Sequence, residues 1–160
     1  MLILLLSLLP GPAVAQDLPS DCSFDQAYIV QQLQKSAVRI PGGRVDLANR
    51  VVEWRLPSGD LVSAGQGGCY DLGTSVTIRY SHGPRPPTEL AVKQLLAAVS
   101  TYWSERQAKQ IAAQLFKRAL TYELLENGNI GLEAPASEAF FQGFTIFMSG
   151  DEISVSWISG

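Results

Sequence analysis

From Asn49 to Tyr80 the sequence takes on a period of two, and this pattern points the segment to sheet. Val52, Trp54 and Leu56 point one way and Val51, Glu53 and Arg55 the other, the alternation that a pleated strand turns into one buried and one wet face. Pro57-Ser58-Gly59-Asp60 interrupts it as a tight turn, Pro presetting φ and Gly supplying positive φ, and Leu61-Val62 begins the return strand. A third strand is predicted over residues 70–80, with Leu72, Thr74, Val76, Ile78 and Tyr80 opposed to Asp71, Ser75, Thr77 and Arg79. Three strands in succession are expected to form a meander.

Helical periods flank this block. Ser23 and Gln26 have the spacing of a capping box, and a helix is predicted over residues 24–38 with Ile29, Val30, Leu33 and Ala37 on one stripe. Phe24 and Tyr28 fall on its polar side, as a partner patch or as a pair packed under a loop. Pro41-Gly42-Gly43 ends it. The stiff linker His82-Gly83-Pro84-Arg85-Pro86-Pro87 leads to Thr88, read as the cap of a helical half over residues 88–126. Its apolar face moves from Ala91, Leu95, Val99 and Tyr102 to a nearly opposite set, Ile111, Ala112, Leu115, Ala119 and Tyr122. One straight helix would then face two cores, and Ser104-Glu105-Arg106-Gln107 supplies a second capping box, so two helices meeting at Ser104 are expected. Asn127-Gly128 is read as the stop. Beyond Pro135, residues 140–148 and 153–157 read as strands around Ser149-Gly150-Asp151.

The order is helix, three strands, two helices, two strands. It implies one α+β domain over residues 16–160, a mainly antiparallel sheet of about five strands with helices packed on one face. The other face would carry Glu53, Arg55, Ser75, Thr77, Arg79, Ser154 and Ser156. Glu53 and Arg79 could pair across it.

Residues 1–15 read as an export signal. Leu2 to Leu9 is an apolar run too short to span a bilayer, Pro10-Gly11 breaks it, and Ala13-Val14-Ala15 is a small-x-small cleavage site before Gln16. A periplasmic or secreted protein with no membrane insertion of the mature chain follows. In an oxidising compartment the two cysteines, Cys22 and Cys69, are most simply one disulfide. Twelve Lys plus Arg against fifteen Asp plus Glu give no basic excess, so no nucleic-acid partner is expected. A single His with two Cys cannot supply a four-ligand zinc site, and no metal or other cofactor is expected.

Two stretches suggest function. Gly65-Gln66-Gly67-Gly68-Cys69-Tyr70 is glycine-rich, but a strand and not a helix N-terminus follows, so a phosphate cradle gives way to a hairpin connection or a partner-binding loop with Tyr70 as contact. Ser58-Gly59-Asp60 recurs as Ser149-Gly150-Asp151; a duplicated hairpin would explain this, and so would the ordinary preference of tight turns. The leading expectation is a non-enzymatic module of the periplasmic-inhibitor or immunity kind, binding another protein through Gln66, Gly67, Gly68 and Tyr70 or through the sheet face with Arg55 and Arg79. The aromatics Phe140, Phe141, Phe144, Phe147 and Trp157 would suit an apolar-ligand carrier, or a plain core.

Asp21-Cys22-Ser23 resembles the Asp-Cys-Ser motif of the NlpC/P60 cysteine peptidases, and Pro57-Ser58-Gly59-Asp60-Leu61-Val62 is similar to a Pro-Gly-Asp-Leu-Val stretch in that family. The resemblance implies a cell-wall peptidase with Cys22 as nucleophile and His82 as its base, since a helix start and an imidazole both favour the thiolate. The chain departs from the family at Phe24, where the family has Gly, and His82 sits in a Pro-rich loop after a strand. A bridged Cys22 cannot be that nucleophile, so the disulfide and the peptidase are mutually exclusive.

Overall fold

The computed structural model describes residues 24–68, 71–117 and 120–159. Cys22, Cys69, Tyr70, Ser23 and the signal segment lie outside them. Three helices and eight strands follow in the order α1 (Gln26–Arg39), β1 (Arg44–Asp46), β2 (Val51–Arg55), β3 (Leu61–Gly67), β4 (Leu72–Arg79), α2 (Thr88–Tyr102), α3 (Glu105–Phe116), β5 (Thr121–Leu124), β6 (Ile130–Ala134), β7 (Phe144–Met148) and β8 (Glu152–Ser159).

Local chemistry explains most boundaries. The carboxylate of Asp25 caps α1 by accepting from the Ala27 and Tyr28 amides at 2.9 and 3.2 Å, so the helix starts later than the Ser23 capping box implied. Pro87, not Thr88, is the N-cap of α2; Thr88 is its first residue and accepts from the Arg85 guanidinium at 3.3 Å. The break at Ser104 is present: its backbone is extended and its Oγ accepts from the Gln107 amide at 3.1 Å, capping α3.

The expectation of about five strands is corrected to eight, all antiparallel, in the order β1-β2-β3-β4-β8-β7-β6-β5. The predicted helix to residue 126 ends at Phe116, and Tyr122 stands in β5. Asn127-Gly128 closes the β5–β6 hairpin instead of a helix: both residues take positive φ (62° and 75°), and the Leu125 amide donates to the Asn129 carbonyl at 2.8 Å. Strand β7 starts at Phe144; Phe140 precedes it as a buried side chain in a turn.

Two register rows form the core floor. Trp54, Val62, Ile78, Ile153 and Met148 lie side by side across five strands, and Val52, Ala64, Val76, Val155 and Ile146 form the next row; all ten are buried. Each such large aliphatic side chain contributes about 1.5–3 kcal/mol on burial. Helix α1 meets β1, β2 and β3, α2 meets β4 and β8, and α3 packs on α2. Aromatic rings link these layers: Trp54 stacks on Tyr102 (6.5 Å), and Trp103, Phe140 and Phe144 continue through Trp157 and Phe140 edge contacts of 5.0–6.3 Å. Phe140, Phe144 and Trp157 are thus part of the buried core, while Phe141 is exposed.

The two Ser-Gly-Asp turns join β2 to β3 and β7 to β8, which are not equivalent positions in the two four-stranded halves. They do lie at the same end of the sheet, on either side of the end of β4. Each forms the same local bond, Ser58 Oγ to Asp60 at 2.6 Å and Ser149 Oγ to Asp151 at 3.0 Å. The Tyr80 amide donates to the Asp151 carbonyl (2.8 Å) and the Ser81 amide to the Asp60 carboxylate (3.0 Å). Turn chemistry, not hairpin duplication, accounts for the repeat.

Candidate functional site

The alternate residues of the strands, those outside the two core rows, are mostly polar or small. Val51, Gly65, Ser75, Ser156, Thr145 and Glu133 form one row, and Glu53, Ser63, Thr77, Ser154, Phe147 and Gly131 the next. With strands about 4.8 Å apart, Ser75, Ser156 and Thr145 make a ladder of three hydroxyls across β4, β8 and β7.

A groove of about 550 Å³ opens over this ladder, bounded by Asn49 and Arg50 before β2 and by Gln142 and Gly143 before β7. That is the size range of ligand sites. Gly65, Gly67 and Gly73 bare its backbone floor. At Gly65 the bare backbone is required, because a Cβ there would collide with the Arg50 carbonyl and press on Val51. Arg50 itself takes φ 54°, where side chains other than Gly and Asn are uncommon. Its NH1 donates to Gln26 Oε1 at 2.7 Å, and Gln26 Nε2 donates to the Phe24 carbonyl (3.0 Å) and the Gly68 carbonyl (3.3 Å). Helix α1 and the end of β3 thereby fix the guanidinium. Gln66 Nε2 donates to Thr74 Oγ1 at 3.4 Å.

The residues expected to bind a partner do not form one patch. Gln66 and Gly67 line the groove and Gly68 adjoins it; Tyr70 lies outside the described residues. Arg55 and Arg79 flank Leu61 at the opposite end of β3, about 20 Å from Gly67 at the strand rise of 3.3 Å per residue. Both cations already have partners there. Arg55 donates to the Gly59 carbonyl (2.6 Å), and Arg79 pairs with Glu152 at 3.2 Å. The expected Glu53–Arg79 pair is therefore corrected: Glu53 stands opposite Arg44 and Ser63, and the register puts Glu152 beside Arg79.

His82 lies over the β2–β3 turn, so close that a Cβ at Gly59 would meet its Nε2 at 2.9 Å. It shares a cleft of about 280 Å³ with Ser58, Asp60, Tyr80 and Gln94. Ser58 is bonded to the buried Asp60 carboxylate, and Tyr80 donates to Gln94 Oε1 at 3.1 Å. Burial, and then the Asp60 charge, push the Tyr80 phenol up to about 12. The bonds of Asp60 to Ser58 and to the Ser81 amide tie the β2–β3 turn to the end of β4; Cys22, the other half of the peptidase pair, lies outside the described residues.

Among the described residues no group of three or more His, Cys, Asp and Glu is placed to hold a metal ion, and no helix is long and apolar enough to cross a membrane. Comparison with protein-family models, with curated proteins and with solved structures gives no match to the chain.

The sequence reading found the glycine-rich wall and the hydroxyl face but missed Asn49, Arg50, Gln142 and Gly143. These sit in irregular connections where no periodicity marks them.

Proposed function

We propose that the chain is a small exported, non-enzymatic binding module of the inhibitor or immunity kind, and that it holds another protein in the groove over Ser75, Ser156 and Thr145. In this reading residues 1–15 are removed on export, Cys22 and Cys69 are bridged, and the helices cover one sheet face so that the hydroxyl face stays free for the partner. The observation that carries it is the groove. Bare glycine backbone, three aligned hydroxyls and Arg50 line one concave surface, the combination of shape and a few placed polar groups that recognition sites use.

Ser156→Arg tests the reading. Ser156 is exposed and central in the ladder, so a long side chain there fills the groove without entering the core. The variant is expected to keep its stability within about 0.5 kcal/mol and to lose the partner that wild-type protein retains from its envelope fraction. Lys93→Ala, at an exposed position of α2, should retain it. Equal retention by Ser156→Arg and wild type would refute the groove as the binding surface.

A further inference from the structure

Among the described residues that line the groove, Arg50 is the one ionisable residue; the other polar groups there are carboxamides, hydroxyls, the Trp157 indole and backbone. Its fixed contact, Gln26 Oε1, is neutral, so the charge has no counter-ion among the described residues. With NH1 taken by Gln26, the Nε–NH2 edge is left, and these two parallel donors match the two oxygens of one carboxylate. A single cation suits a monoanion better than a phosphate dianion. Arg50 directly precedes Val51, which stands at one end of the row Val51, Gly65, Ser75, Ser156 and Thr145. A group held by Arg50 therefore lies at the end of the hydroxyl ladder.

We propose that the groove captures the C-terminal carboxylate of the partner protein, with Arg50 Nε and NH2 on its two oxygens and the preceding residues lying along Ser75, Ser156 and Thr145. This rests on the reading of the groove as the binding surface, and it adds the chemical group recognised.

The test is an NMR titration of isotope-labelled protein with acetyl-trialanine, its C-terminal amide, and acetyl-Ala-Asp-Ala-amide. The free acid is expected to shift the Arg50 Nε–H and the Gly65, Gly67 and Gly73 amides, and to bind at least about tenfold more tightly than the amide. Arg50→Lys, which keeps the charge but not the fork, should weaken the acid, and Arg50→Gln should remove the preference for acid over amide while leaving the remaining spectrum native. Three results would overturn the proposal: equal binding of acid and amide, an internal Asp as good as the free terminus, or no groove shifts with any peptide at about 20 mM. None of these bears on the Ser156→Arg result with the whole partner, so the two readings fail separately.

Discussion

Asp60 is the charged side chain most firmly built into the fold. It is buried, and its two oxygens accept from Ser58 Oγ and the Ser81 amide. Replacing it with Ala strands that amide, so Asp60→Ala is expected to destabilise by about 1–3 kcal/mol in urea unfolding; Asp151→Ala, whose carboxylate is exposed, should have a smaller effect. Tyr80 and Tyr102 make stability depend on alkaline pH. Burial raises both phenols from 10.0 to about 12, countered in part by Arg85 at Tyr80 and by Arg39 at Tyr102. The unfolded chain loses these protons first. Their contribution is therefore complete below pH 10 and declines as pH rises toward 12. Unfolding midpoints should fall across that window, and Tyr102→Phe should flatten the fall; a midpoint that is level from pH 10 to 12 in wild type would contradict it.

At the scale of elements, helix starts and core strands follow from short-range rules, and the marginal strands do not. Ser104 with Gln107 marks the α2–α3 break in the sequence itself, and Ser104→Ala should cost about 1 kcal/mol of stability by removing that cap. Strand β5 carries no comparable mark. All four of its residues are exposed, so period-two alternation has no buried face to record, and Glu123 and Leu124 suit a helix equally. Strand β1 has three residues, too few to show a period. Ile130–Ala134 in β6 alternates weakly because Gly131 stands where a side chain would define the face. The same exposure predicts dynamics: amide exchange should be fast through β5, which pairs on one side only, and slowest in β4 and β8 at the centre of the sheet. Protection in β5 equal to that in β4 would show that its free edge is covered.

The whole molecule is two four-stranded meanders joined between β4 and β8, and that join creates the groove, since Ser75 comes from the first half and Ser156 and Thr145 from the second. No single stretch of sequence displays such a site. The glycine wall was legible as a cluster in the sequence, whereas Arg50 and Gln142 line one groove only because β4 and β8 join the two halves of the sheet. The cysteines act at this scale as well. A Cys22–Cys69 bridge would tie the entrance of α1 to the end of β3 and contribute about 4 kcal/mol in the chain-entropy model; thiol titration of the unfolded, unreduced protein should find no free sulfhydryl, and a free, readily alkylated Cys22 would favour the peptidase reading. The most direct test of the groove itself is the amide hydrogen-exchange footprint of the protein with the proposed partner protein bound. New protection is expected at residues 65–67, 73–75, 144–145 and 156, with α1, α2 and α3 unchanged. Protection confined to the helices, with the groove exchanging as in the free protein, would contradict the groove as the binding surface.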